Sequence, residues 1–406
     1  MDLSKSELCV RCKGRGYCGK PCPILAKFPI LGRPKTHFSG SSPPEIFVGR
    51  EGYPQVNTGI LSPQEYGDTE DYSMPELWHA KGFDIQRILS LRSQMIYARF
   101  KSQVKDARKQ KKFLQLMQEI SMADKKVNTE IFLKKPPKQN LYLDTHTPII
   151  GNPAPLKFAR LEENPHIPRK VEYLTGDTDM KASTAITELY SSNLPISNIV
   201  KVLSAGLLGK ATSRKLVPTR WSIVGVDSTI SKLLLEKIRF YPEISEISLF
   251  HSEYIGNHYE FLLLPDKFAF EVIEAKLTGS VWNPSGPLYL AIDYESFRGR
   301  KNYAENVTGA YYSNRLALAE FLEQIKRQAS CLVMRECRPE YYAPCGVGIL
   351  REASRQAFKS KPEKFETIPQ ALEQAQSRLK LPVSIFQQNS WLLREHGKQK
   401  KLSCFF

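Results

Sequence analysis

The sequence predicts a mixed α/β chain of the α+β class, a mainly antiparallel sheet with covering helices. A cysteine-rich module precedes it and a flexible tail follows it. Three observations carry this reading. Four stretches, "EISEISLFHSEY", "HYEFLLLP", "FAFEVIEAKL" and "PLYLAIDYESF", alternate or run apolar at strand length, as antiparallel neighbours do. The run "NYAENVTGAYYSNRLALAEFLEQI" then has the spacing of a long helix able to cover that sheet. The two ends differ from this body in composition: one gathers cysteines, the other basic residues and phenylalanines.

The 406 residues are 41% hydrophobic and 10% aromatic, enough to bury a large core in two or three packed units and to exclude wholesale disorder. No stretch approaches the roughly 18 apolar residues a membrane helix needs. "MDLSKSELCVRCKGRGYCGK" lacks the apolar centre of a secretory signal. The expectation is a cytoplasmic protein with no membrane partner. The formal charge of +16 points to phosphate polymers as partners, since neutralising phosphates releases their counterions; a solubility surplus is the plainer alternative.

Residues 9–22 read "CVRCKGRGYCGKPC". Cys9 and Cys12 form one close pair, Cys18 and Cys22 a second. Four thiolates so spaced can converge on one tetrahedral zinc ion, with no ligand position left open, so the expected role is structural. Gly14, Gly16 and Gly19 suit the tight knuckles, and Arg11, Lys13, Arg15 and Lys20 offset the charge of a zinc–tetrathiolate centre. A disulfide, unligated thiols and an iron–sulfur cluster are the competing readings. The module is placed at 1–30.

A central body is placed at 31–395. Its first part, 31–80, is rich in Pro, Gly and Ser, and reads as a loop-rich wrapping segment containing two short β-type runs, "EIFVG" and "QVNTGIL". From Asp84 to about Val127 the pattern reads as helical: Ile85, Ile88, Leu89, Arg92, Met95, Ile96 and Arg99 share helical spacing, and 105–112 carry a dense basic face. That face is either solvated or phosphate-contacting. Asp177 and Asp179 precede a helix beginning near Lys181 and read as caps.

The stretch "SAGLLGKATSRKLVPTRWSIVGVD" is the most informative in the middle of the chain. Gly206 and Gly209 let backbone approach closely, while Lys210, Arg214, Lys215 and Arg220 gather charge for phosphate oxygens. Trp221 suits base stacking, or the core. No G-x4-G-K-[ST] pattern is present, which excludes a P-loop. Arg298, Arg300 and Lys301 form a second candidate phosphate-binding set.

Catalytic signatures are sparse. Glu271, Glu274, Asp293 and Glu295 lie near strand ends, and "EAK" at 274–276 fits the E-x-K of metal-dependent nucleases, a tripeptide too common to carry weight alone. No G-x-S-x-G or H-E-x-x-H occurs. Cys331, Cys337 and Cys345 match no metal template and read as buried thiols. Arg335, Glu336, Arg351 and Glu352 fit either a buried ionic network or a ligand site.

The chain closes on "QKKLSCFF", assigned with the preceding tether to a tail at 396–406. Gln399, Leu402, Phe405 and Phe406 occupy positions 1, 4, 7 and 8, so one helical or 3₁₀ turn sets three apolar anchors on one side beside an amide. This closely resembles the peptide (Q-x-x-h-x-x-a-a) that recruits proteins to the DNA sliding clamp, PCNA. A tail folded onto its own body is the alternative.

Taken with the N-terminal cysteines, this tail gives the chain a resemblance to the archaeal Nre ("novel repair") family. The resemblance extends over "SGSSPPEIFVGREGYPQVNTG", "GDTDMKA", "LSAGLLGKATSRKLVPTRWSIVGVD", "DYESFRGRKNYA" and "GILREASRQA". It implies a DNA damage repair role alongside the clamp, in a cytoplasmic, nucleoid-associated protein that binds DNA. It implies no reaction for any named residue. The rival expectation is an enzyme, a metal-dependent nuclease or a hydrolase acting on damaged DNA or nucleotides, whose turnover would depend on Asp293 or Glu295.

Overall fold

The structure is a computed structural model, and it describes residues 19, 21, 22, 35–137 and 143–398. Of the four expected zinc ligands only Cys22 falls among these. Cys9, Cys12 and Cys18, and the tail residues Gln399, Leu402, Phe405 and Phe406, lie outside the described residues. The described chain forms two compact units: one runs as far as Ile230 and takes in Ala343–Ile349, the other comprises Ser231–Tyr342 and the stretch from Leu350.

The first unit is built on six strands: β1 (His37–Ser42), β2 (Ile46–Val48), β3 (Gln55–Ser62), β4 (Ile96–Gln103), β5 (Val127–Leu133) and β6 (Asn152–Leu161). They lie in the order β1-β5-β6-β4-β3-β2. The β4–β6 pair is parallel and the other four pairings are antiparallel. Strand β5, "VNTEIFL", shows why it is a strand: Val127, Thr129, Ile131 and Leu133 are buried and the residues between them are not. Among the described residues, seven helices accompany the sheet, the last running on into the second unit: α1 (Pro75–Ala80), α2 (Ile85–Ser93), α3 (Lys112–Met122), α4 (Arg169–Gly176), α5 (Ala182–Ser191), α6 (Ile196–Ser204) and α7 (Thr219–Ile238). Helix α3 contributes Leu114, Met117 and Ile120 to a core with Val56, Ile60, Ile96, Ala98, Ile131 and Leu156.

Two local readings change here. The helical pattern expected to run on from Asp84 stops at Ser93, and Ile96 and Arg99 belong to strand β4. Tertiary pairing overrides the 3.6-residue spacing. "IYARFKSQ" carries Ile96, Tyr97 and Phe100, which favour a strand, and pairs with β3 and β6. The approach is close: a β-carbon on Gly59 of β3 would stand 2.0 Å from the Ala98 carbonyl oxygen. In the segment read as loop-rich, the two β-type runs are β2 and β3 as expected, and His37–Ser42 adds an unforeseen strand, β1.

The second unit holds β7 (Ile247–Tyr254), β8 (Asn257–Leu264), β9 (Ala269–Lys276), β10 (Tyr289–Glu295), β11 (Ser330–Cys337) and β12 (Glu363–Phe365), in the order β10-β9-β11-β8-β7-β12. Only β9–β11 is parallel. The four stretches read as strands are β7 to β10. The expected long helix is α8 (Gly309–Ile325), whose Tyr311 packs edge-on to Phe270 of β9. It is followed by α9 (Val347–Ala357), α10 (Ile368–Gln376), α11 (Val383–Asn389) and α12 (Trp391–Glu395). Residues of α10, α11 and α12 join Leu262, Ile273, Leu332 and Met334 in one hydrophobic cluster. The mixed α/β class with mainly antiparallel pairing therefore holds in both sheets. Among the described residues no helix is long and apolar enough to cross a membrane.

Candidate nucleic-acid interface

The first unit brings together two basic segments that are remote in sequence. Strand β4 ends in a 3₁₀ turn, Val104–Arg108, leading to α3; the loop after α6 returns beside it. The Leu216 amide donates to the Val104 carbonyl at 2.8 Å. Arg108 Nη1 donates to the Ala211 carbonyl at 3.3 Å. Gln118 of α3 ties the two together, its amide donating to the carbonyls of Ala107 (2.9 Å) and Ala205 (3.1 Å). Gly206 makes the approach sterically feasible, with φ +74° and no β-carbon to strike Ala107 or the Lys215 carbonyl.

Lys105, Arg108, Lys109, Lys111, Lys112, Lys210 and Lys215 are all exposed on these segments. Asp106, buried in their midst, accepts from Lys109 at 2.8 Å and Lys111 at 2.5 Å. The Lys109 hydrogen bond, then that of Lys111, holds its carboxyl down to about 2, against the opposing effect of burial. Lys112 lies 4.4 Å over the Phe158 ring. The arrangement presents several cations to solvent and tucks the local anion inward, which is what a phosphate backbone requires.

Arg214 behaves differently. Its Nε, Nη1 and Nη2 donate to the carbonyls of Gly209 (2.8 Å), Thr175 (2.7 Å) and Asp177 (2.5 Å). Burial lowers its pKa, offset by Asp177. The guanidinium braces its own loop. Arg220 is drawn to Asp144 at 3.3 Å, while Trp221 beside it is exposed and 5.3 Å from the Tyr53 ring. Neither Asp177 nor Asp179 caps the helix that follows, whose N-cap position is Lys181 with no side-chain bond; the Asp177 Oδ1 instead accepts from the amides of Asp179 and Met180 in the turn ahead of it.

In the second unit Arg298 and Lys301 are exposed. Arg300 is instead tied to Asp293 Oδ1 (3.0 Å) and to the carbonyls of Tyr294 (2.7 Å) and Tyr303 (3.1 Å). Arg239 and Lys267 lie over the Phe297 ring, at 5.7 and 5.8 Å from its centre, an aromatic–cation arrangement with no signal in the sequence beyond composition.

The carboxylates considered for catalysis are engaged. Asp293 Oδ2 accepts the amides of Asn306 and Val307. Both oxygens of Glu295 accept from Arg315 Nη1 at 3.1 Å. Glu274 pairs with Arg335 and, at 3.2 Å, with Lys276. Glu271 accepts from Ser390 and from the amides of Trp391 and Leu392, capping α12. Glu336 pairs with Arg338 and Arg335 with Glu274, so both residues read as network or ligand groups are held in buried ion pairs. Burial pushes the Cys331, Cys337 and Cys345 thiols up, as expected of inert thiols. Among the described residues no group of three or more His, Cys, Asp or Glu side chains is placed to hold a metal ion.

The family model for the N-terminal part of archaeal Nre matches residues 17–283, and that for the C-terminal part matches residues 295–405. The chain is 39% identical over 381 residues to a protein of Archaeoglobus fulgidus named DNA repair protein NreA, covering 92% of this chain and 94% of that one. It is 36% identical over 395 residues to DNA repair protein NreB of the same organism, covering 97% and 98%. A Haloferax volcanii protein named DNA repair protein NreA is 36% identical over 353 residues, covering 85% and 83%. No solved structure matches.

Proposed function

The chain belongs to the archaeal Nre family, and from that premise we propose that it is a DNA repair factor that binds DNA through the basic surface of its first unit and is tethered to the sliding clamp PCNA by its C-terminal residues. The repair role rests on relatives named for it that align over most of both chains. DNA binding rests on one observation: Lys105, Arg108, Lys109, Lys111 and Lys112 are held against the loop bearing Lys210 and Lys215, with Asp106 turned inward. Arg220 adds a candidate contact in this unit, and Arg298 and Lys301 form a separate candidate set in the second, whereas Arg214 and Arg300 hold their own loops.

Clamp tethering rests on Gln399, Leu402, Phe405 and Phe406 at the spacing of the clamp peptide. A structural zinc on Cys9, Cys12, Cys18 and Cys22 rests on their paired spacing. The clamp supplies residence at the DNA, because tethering turns the second binding event into an intramolecular one. The reading requires no catalytic step. It is tested by reconstitution on labelled DNA with and without loaded PCNA. The protein should bind the DNA alone and be retained longer with PCNA. Retention unchanged by PCNA would remove the tether from the account, and no binding to DNA would remove the surface.

A further inference from the structure

We propose that the basic surface of the first unit takes single-stranded DNA, with unpaired bases stacked on the exposed ring pair Tyr53–Trp221; this deepens the DNA-binding reading above and rests on it. The two rings are 43% and 46% exposed, their centroids 5.3 Å apart and their planes inclined by 55°. Both rings offer open faces to a stacking partner.

The backbone fixes both rings beside the cations. Tyr53 sits in the connection between β2 and β3, where its amide donates to the Arg50 carbonyl at 3.2 Å. The next residue, Pro54, accepts from the Val104 amide at 3.0 Å, so this connection joins the first residue of the basic 3₁₀ turn. Trp221 lies in the first turn of α7, a turn with no acidic residue, and its amide donates to the Pro218 carbonyl at 2.7 Å. Thr219, two residues before it, accepts from the Val48 amide at 2.9 Å, just ahead of the same connection. The ring pair therefore stands where the two basic segments meet.

The chemistry of the patch favours a base over an apolar protein segment. Among the described residues of this unit, the large exposed hydrophobics are Tyr53, Tyr66, Tyr173 and Trp221, all aromatic. A protein-docking face would add exposed aliphatic side chains around them. Every base offers a π-face, and stacking tolerates sequence. A duplex hides those faces inside its own stack, so cations alone would serve duplex DNA, whereas cations with rings serve strands whose bases are free.

The test is fluorescence anisotropy of the full-length protein with a labelled thymidine oligomer and with a duplex of equal length. The proteins compared are wild type, Trp221→Ala, Tyr53→Ala, Trp221→Phe and the double charge reversal Lys210→Glu/Lys215→Glu. Wild type should prefer the single strand. Trp221→Ala should weaken single-strand binding on the order of ten-fold and leave duplex binding within about two-fold, while Trp221→Phe retains most of the affinity. The charge reversal should weaken both. If the alanine variants bind the single strand as wild type does while the charge reversal weakens both, stacking is overturned and the basic surface stands. If the charge reversal also changes nothing, both readings fall. Equal loss on both DNAs in Trp221→Ala, reproduced in Trp221→Phe, which keeps an aromatic face, also overturns stacking.

Discussion

A β-carbon on Gly206 would stand 2.7 Å from the Ala107 β-carbon and 2.7 Å from the Lys215 carbonyl oxygen. The close approach of the two basic segments thus depends on a hydrogen in place of a methyl group.

Gly206→Ala should cost about 2–4 kcal/mol, combining a left-handed backbone with a clash against backbone atoms. Gly209, with φ +105°, has as its nearest neighbour the Ala182 β-carbon at 3.4 Å. Gly209→Ala should therefore pay only the conformational cost, about 1–2 kcal/mol. Urea unfolding of the two variants checks the order; equal losses would mean the segments are not closely apposed at Gly206.

Arg214 and Lys215 are neighbours with opposite expected phenotypes. Arg214→Ala removes three donors from the carbonyls of Gly209, Thr175 and Asp177 and should lower stability by about 2–4 kcal/mol. Lys215→Ala, at an exposed position, should change stability by less than about 0.5 kcal/mol and weaken DNA binding several-fold. Thermal melts with DNA titrations separate them, and a stable Arg214→Ala variant with weak DNA binding would reverse the assignment.

This pair also shows what the sequence could disclose. It shows that a residue is charged but not whether backbone carbonyls already hold that charge, so Arg214 and Arg300 read like their exposed neighbours. Strand-length apolar runs sufficed for β7 to β10, including β8, which is buried along its whole length, and helical spacing sufficed for α8. Local pattern failed at β4, whose identity comes from pairing with β3 and β6, and at the central strand β11, whose "SCLVMREC" breaks a short apolar run with Arg335 and Glu336. The glycines at 206 and 209 were legible as places of close approach. That 206 approaches Ala107 was not, because the segments that meet there are far apart in sequence; the Arg108–Ala211 contact spans 103 residues.

Asp106 gives the surface a pH signature. Its folded carboxyl lies at about 2, below the ordinary value of 3.8, through Lys109 and Lys111. A depressed folded value means the stabilisation is fully present above about pH 4 and is lost as pH falls toward 2. The stability gap between wild type and Asp106→Asn should therefore be widest above pH 4 and shrink below it. Melting curves from pH 6 to pH 2 read this directly; a gap that widens on acidification would contradict it.

Removing residues 399–406 should abolish clamp binding and leave the fold and intrinsic DNA affinity unchanged. Burying two phenylalanines and a leucine contributes about 1.5–3 kcal/mol each, partly offset by ordering the segment, so a peptide of these residues should bind PCNA at about micromolar affinity. Calorimetry with the peptide checks it; a silent peptide together with a destabilised truncation would assign the segment to the body instead.

Elemental analysis should find about one zinc per chain, lost on replacing Cys9, Cys12, Cys18 or Cys22. Iron, or no metal at all, would overturn the structural-zinc reading.

The most direct test of DNA binding through the first unit is the salt dependence of affinity. For a single-stranded oligomer, log K should fall linearly with log salt, with a slope of about −0.7 per phosphate neutralised. Lys210→Glu/Lys215→Glu and Lys105→Glu/Arg108→Glu should each flatten that slope by at least about one, with the fold intact by circular dichroism. Wild-type slope and affinity in both variants would place DNA elsewhere on the molecule and contradict the account.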